Sequence, residues 1–266
     1  MADYKHKARK RFGQNFLTDK NIVGKIVMSI SPQPGDNLVE IGPGLGALTR
    51  PLLAKAKRLQ AVELDRDLIP RLRESCRDAG ELLIHEADAL EFDFSTLAEP
   101  ARPLRLVGNL PYNISTPLLF HLIGFIAAIR DMHFMLQKEV VDRMAAEPDT
   151  DDYGRLSVML QYHCAVEPLF TVPPGAFNPR PKVDSRIVRL LPHPAPPSPV
   201  ENYADFSALV KQAFSQRRKT LRNNLKPILD ADIIAALGID PGTRAETLSL
   251  ADFAKLANAW TGIKNK

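Results

Sequence analysis

The sequence predicts an α/β fold of the doubly wound class, a mainly parallel sheet covered by helices, followed by a small all-helical domain. Three observations predict it. Short β-type runs alternate with helical stretches through the first half of the chain. A glycine-rich turn, Gly42-Pro-Gly44-Leu-Gly46, stands between the first of the alternating runs and the helix that follows it. A proline-rich stretch, 192–199, then separates this region from a remainder with helical patterning.

Taken in order, residues 19–30 place Ile22, Val23, Ile26, Val27 and Ile30 at helical spacing, with Asp19 as N-cap. Pro32, Pro34 and Gly35 end that helix. Strands are expected at Asn37–Ile41, Leu59–Leu64, Leu82–His85, Leu104–Val107 and Asp131–Leu136, and helices at Ala47–Ala56, Asp67–Ala79, Thr116–Ile129 and Lys138–Ala146. After Asp149–Asp152 a helix is expected over Tyr153–Cys164. Strands Val166–Val172 and Val183–Leu191 follow, joined by a proline-rich loop over Val172–Lys182, as an antiparallel pair closing the sheet. Five prolines in Pro192–Pro199 mark a linker, and Tyr203–Trp260 reads as helical. The expected organisation is a domain over 1–191, a linker over 192–199 and a helical domain over 200–266.

Composition bounds the class. Of 266 residues, 45% are hydrophobic and 25% charged, which excludes a disordered, collagenous or coiled-coil chain. Cys76 and Cys164 form neither a disulfide framework nor a metal clamp, so a reducing compartment is expected and no metal is called for. The longest apolar stretch, Pro117–Ile129, is too short for a bilayer core of ~30 Å, and the basic N-terminus lacks an apolar signal core. A cytoplasmic protein with no membrane partner is expected. The net charge of +4 is unevenly spread. Residues 1–20 carry +4, residues 211–226 carry +6 with no acid, and residues 63–99 carry −7. Two basic ends are either solvated faces or one nucleic-acid surface. His85, His121 and His163 read as core or surface histidines, and Trp260 as core.

The glycine turn lets backbone approach a bulky ligand. Glu63 closes the second strand of the alternating series, where its carboxylate can accept both hydrogen bonds of a ribose diol, and Asp88 follows the third, within reach of an adenine amine. These acids point to an adenosine cofactor without separating NAD from S-adenosylmethionine. After the fourth strand comes Gly108-Asn109-Leu110-Pro111-Tyr112. An adenine N6 amine is a poor nucleophile because its lone pair is delocalised into the ring. If the Asn109 side-chain oxygen and the Leu110 carbonyl accept its two hydrogens, the nitrogen can pyramidalise and aim its lone pair at a methyl sulfonium. Pro111 sets the bend and Tyr112 can stack on the base.

Glu40–Gly46 with Asn109–Tyr112 resembles the adenine-N6 methyltransferases that use S-adenosylmethionine, of the Rossmann-like class I fold. Arg11–Leu17 is similar to the N-terminal signature of the rRNA adenine dimethyltransferases. The segments 177–185, 214–225 and 244–249 resemble the branch of that family acting on small-subunit (16S) rRNA. The resemblance implies that Asn15 and Leu17 close over the cofactor, that Gly42 and Gly44 face it, and that Glu63 and Asp88 hold its ribose and adenine. It implies that Asn109 lies between cofactor and target amine, and that Phe177 covers the face of the base opposite Tyr112. It implies dimethylation of two adjacent adenosines near the 3′ end of 16S rRNA by a monomer, with S-adenosylhomocysteine as product. Arg217, Arg218, Lys219 and Arg222, at near-helical spacing, then suit RNA phosphates, as does an arm carrying Lys5, Lys7, Arg9, Lys10 and Arg11. The rivals are a resistance-type methyltransferase of large-subunit rRNA, an RNA-binding assembly factor and, last, an NAD-dependent oxidoreductase, which leaves the Asn109–Tyr112 turn unexplained.

Overall fold

The structure is a computed structural model and describes residues 15–265; the N-terminal basic arm and Arg11–Gln14 lie outside the described residues. In chain order the elements are β1 (Phe16–Leu17), α1 (Lys20–Ile30), β2 (Asn37–Ile41), α2 (Thr49–Ala56), β3 (Arg58–Glu63), α3 (Ile69–Cys76) and β4 (Glu81–Glu86). They continue as β5 (Leu104–Asn109), α4 (Ser115–Ile123), β6 (Ile129–Gln137), α5 (Lys138–Ala145), α6 (Arg155–His163), β7 (Cys164–Val172), β8 (Phe177–Asn178) and β9 (Ser185–Pro192). The last are α7 (Tyr203–Ala213), α8 (Leu221–Leu225), α9 (Ala231–Ala236) and α10 (Leu250–Lys264). None of the described helices is long and apolar enough to cross a membrane.

Seven strands form one sheet in the order β4-β3-β2-β5-β6-β9-β7. From β4 to β6 they run parallel, and β9 lies antiparallel to β6. Side-chain pairs Arg186–Thr171 and Arg189–Glu167 descend in step across β9 and β7, the antiparallel order expected of the closing pair. β2 is buried along its whole length and β5 through Gly108. Helices shield both faces of a parallel sheet from water, so even the polar members Asn37, Glu40 and Arg105 are buried. From β2 the chain winds outward through β3 and β4, then returns to build β5 and β6 on the other side. The reversal falls between β2 and β5, and the carboxyl ends of β2 to β5 surround it.

Local chemistry explains most boundaries. Asp19 caps α1, its carboxylate accepting from Asn21 N at 2.8 Å and Ile22 N at 3.2 Å. The helix expected to Ile129 stops at Ile123, because Gly124 caps α4 and Ile129 already opens β6. Helix α3 is shorter than its expected span and carries Pro70 in its first turn. The proline-rich loop hides a strand: β8 pairs antiparallel with β1, Leu17 opposite Phe177, and Ala176 O accepts from Thr18 N. Two-residue strands carry no periodicity, so this ribbon has no sequence signature.

Gly108 shows how closely β5 and β2 approach. A Cβ there would stand 2.5 Å from the Ile41 carbonyl oxygen, a backbone atom that cannot yield. Gly108→Ala is expected to cost about 2 kcal/mol or more through overpacking, lowering Tm in thermal unfolding by several degrees; an unchanged Tm would contradict the packing.

The chain divides into two compact units, one comprising 1–141 with Glu167–Pro192, the other Asp142–Val166 with His193–Lys266. The expected boundary at 191 therefore needs correction: residues 142–166 group with the C-terminal helices. The reason is packing within that unit, where the Tyr162 ring of α6 lies 4.6 Å from Phe206 of α7, centroid to centroid.

Candidate active site

The reversal point of the sheet opens into a cavity of about 340 Å³. Its wall is built from the carboxyl ends of the strands and the residues that follow them: Glu40–Leu45 and Ala47 at β2, Glu63–Asp65 at β3, Ala87–Ala89 after β4 and Asn109–Ile114 at β5, with Asn15–Leu17 lining one side. Ten of the residues singled out in the sequence meet here: Asn15, Leu17, Gly42, Gly44, Glu63, Asp88, Asn109, Leu110, Pro111 and Tyr112. The structure brings them together from positions 15 to 112 because a parallel sheet puts successive strand ends side by side.

Glu63 is held from two directions. Its Oε2 accepts from Gly44 N at 3.0 Å and its Oε1 from Asp65 N at 2.8 Å. Gly44 has φ +59, which a side-chain-bearing residue rarely adopts, so the loop can turn its N–H onto the carboxylate. Each carboxylate oxygen keeps a second lone pair, so the fixed group can still accept from a diol. Burial raises the Glu63 pKa, and the backbone donors only partly oppose this. Asp88 Oδ1 accepts from Leu90 N at 2.9 Å, which orients its second oxygen as a spare acceptor.

The turn after β5 is organised in the same way. Leu110 N donates to Met135 O at 3.2 Å, anchoring it on β6. Pro111 O accepts from Ile114 N and Tyr112 O from Ser115 Oγ, both at 3.2 Å. The Leu110 carbonyl accepts from no described residue. Asn109 Nδ2 donates to Asn15 O at 3.0 Å, and its Oδ1 accepts from no described residue. Two acceptors therefore remain unused on one turn that lines the cavity. Tyr112 Oη meets Ser185 Oγ at 2.7 Å, and burial raises the tyrosine pKa against that bond.

Phe177 does not join them. It is 3% exposed, packed in the core cluster with Leu17, Val172 and Ile187 and pinned opposite Leu17 by the β1–β8 ribbon. Nor do His85 and His121, whose Nε2 atoms meet Gln60 Oε1 at 3.1 Å and Phe92 O at 2.9 Å.

The sequence reading passed over Glu40. It is 2% exposed, it lines the cavity, and its Oε2 has no hydrogen-bond partner among the described residues. Burial, reinforced by Glu63, pushes its pKa from 4.5 up to about 8. A glutamate flanked by Val39 and Ile41 in a strand expected to be buried was the available signal. The folded protein therefore holds a proton that the unfolded chain releases above its ordinary pKa. The stability Glu40 contributes is present below pH 4.5 and is lost as pH rises through about 8. Glu40→Gln, which cannot ionise, is expected to unfold at a Tm that gains on the unaltered chain between pH 5 and 8. A pH-independent difference between the two melting curves would count against the raised pKa.

In the second unit Arg217, Arg218, Lys219 and Arg222 are exposed between α7 and the middle of α8. Arg217 is engaged within its own unit, meeting Glu246 Oε2 at 3.1 Å and donating to Asp151 O.

Comparison with known proteins agrees with this geometry. The sequence pattern of a family described as ribosomal RNA adenine dimethylase matches residues 5–261. A protein of Pseudomonas putida named ribosomal RNA small subunit methyltransferase A is 56% identical over 255 residues, 96% of each chain. The protein of the same name in Laribacter hongkongensis is 59% identical, again over 96% of each chain. Among solved structures, a dimethyladenosine transferase from Plasmodium falciparum superimposes with a TM-score of 0.76 at 28% identity, covering 91% of this chain and 95% of the other. The 23S rRNA methyltransferase ErmE gives 0.71 at 25%, covering 93% and 100%. A strand-end cavity closed by an Asn-Leu-Pro-Tyr turn, in a chain matched almost end to end, places this protein in the ribosomal RNA adenine dimethylase family.

Proposed function

We propose that this chain transfers methyl groups from S-adenosylmethionine to the N6 amines of two adjacent adenosines near the 3′ end of 16S rRNA. The products are N6,N6-dimethyladenosine and S-adenosylhomocysteine, formed during biogenesis of the small ribosomal subunit. One observation carries the choice of cofactor. The cavity wall holds Glu63, Asp65 and Asp88, and no Lys, Arg or His stands among its described lining residues. The pyrophosphate of a dinucleotide would meet acids there without a cation, whereas a sulfonium suits an acidic wall. Bound S-adenosylmethionine supplies an electrophilic methyl group.

The residues of the chain do the rest. Glu63 accepts from the ribose hydroxyls, Asp88 from the adenine amine of the cofactor, and Gly42 and Gly44 let backbone lie against its methionine part. Asn15 and Leu17 close the cavity, and Asn15 O turns the Asn109 side chain so that Oδ1 faces inward. Asn109 Oδ1 and Leu110 O accept the hydrogens of the target amine, which localises its lone pair. Pro111 keeps the two acceptors convergent, and Tyr112 supplies a face for the flipped base. The second face falls to Phe177, whose cross-strand partner Leu17 lines the cavity; its ring must turn out of the core to serve. The methylated amine is a strong acid and yields its proton to water, so no general base is needed.

The choice of the small subunit over the large follows the names of the 56–59% identical relatives, against the 25% identity of the 23S enzyme. Arg218, Lys219 and Arg222 form no ion pair among the described residues, which suits contacts to phosphate.

Labelled S-adenosylmethionine offered separately with small subunits, large subunits and naked RNA tests the reading. Dimethyladenosine from small subunits is expected, with transfer at limiting enzyme falling roughly 10- to 50-fold between 50 and 200 mM salt if about three phosphates are held. Reversing the charge of Arg218, Lys219 and Arg222 together should flatten that dependence. Product from large-subunit RNA alone would overturn the assignment.

A further inference from the structure

The segment 177–185 stands out in the sequence, yet neither of its end residues lines the cavity. What those ends do is brace the catalytic turn. At one end Phe177 pairs with Leu17, fixing the strand whose neighbour Asn15 holds the Asn109 amide. At the other, Ser185 Oγ lies 2.7 Å from Tyr112 Oη, across 73 positions of sequence.

We propose that Ser185 is a positioning residue for the target base, holding the Tyr112 ring at one angle through its hydroxyl. The inference rests on the reading of Tyr112 as a platform for that base. Ser185 is suited to the task because it cannot move. It is fully buried, it is paired with Gln137 at the carboxyl end of β6, and the preceding carbonyl, Asp184 O, accepts from Lys138 N at 2.9 Å. Tyr112 is fixed at its backbone by Ser115 Oγ, which leaves its two side-chain torsions free to swing the ring. The bond to Ser185 pins the far end of that ring. Asn109 Oδ1 and Leu110 O define two points for the amine; the ring face supplies the tilt of the base plane, and with it the direction of the nitrogen lone pair. Small errors in that direction are costly for in-line transfer.

A double-mutant cycle tests the role. Ser185→Ala and Tyr112→Phe each delete one half of the bond, and Tyr112→Phe does so without touching the buried strand. In single turnovers at saturating cofactor and small subunits, each is expected to slow transfer about 5- to 20-fold, with the double variant no slower than the slower single. Calorimetric affinity for S-adenosylmethionine should stay unchanged. An RNA carrying 2-aminopurine at the target position should be less quenched in both variants than with the unaltered protein. Multiplied losses in the double variant would make Ser185 merely structural, and normal transfer by Tyr112→Phe would overturn the proposal. If the unaltered protein quenches and methylates no RNA, the platform reading itself fails; if it does both while the variants match it, only the role of Ser185 fails.

Discussion

Asn109→Ala is expected to lower methyl transfer by about 10³-fold while leaving affinity for S-adenosylmethionine within roughly twofold. The asymmetry follows from where the side chain spends its bonds. Its amide nitrogen is committed to Asn15 O, so in the proposed reaction the oxygen alone is available to the target amine. The alanine variant leaves one acceptor, Leu110 O, where two are needed to draw the lone pair out of the ring. Glu63 and Asp88, to which the cofactor's ribose and adenine are assigned in the proposal, stand at the ends of other strands with their own anchors. Single-turnover rates with small subunits and calorimetry with the cofactor separate the two effects. Normal turnover in this variant would end the account of the turn.

Glu63→Ala is expected to weaken S-adenosylmethionine binding by about 10²-fold or more. Hydrogen bonds to a charged group are each worth about 1.5–3 kcal/mol, and the diol makes two. The carboxylate also receives Gly44 N and Asp65 N, so its removal frees the glycine loop and adds to the loss. Glu63→Gln keeps one acceptor and should fall between. Unchanged affinity in calorimetry would contradict the ribose role. Transfer at saturating cofactor should suffer far less than in Asn109→Ala, since Glu63 touches no part of the turn.

Much of this site is legible in the sequence, and the reason is topological. In a parallel sheet, each strand end delivers its next residue to the same edge. Glu63, Asp88 and Asn109 could therefore be placed together once their strands were recognised from alternating periodicity. Glu40 was passed over because it was read as the start of a motif and not as a buried carboxyl. Phe177 is the opposite case. A resemblance supplied its role, but its exposure depends on the two-residue ribbon with Leu17, which no local pattern announces.

The sequence by itself determined the doubly wound sheet, the glycine turn, the strand-end acids and the Asn-Leu-Pro-Tyr turn, because each is written in contiguous residues with a period or a backbone constraint. Only the tertiary structure could show which acceptors remain free on that turn. The hydrogen bond from Asn109 to Asn15 O and those from Ile114 and Ser115 settle that question, and the bond between Ser185 and Tyr112 shows where the Tyr112 ring is held. It alone grouped residues 142–166 with the C-terminal helices, through ring packing between α6 and α7. It also put an uncharged Glu40 in the wall, since burial, and not sequence position, sets the cost of its charge.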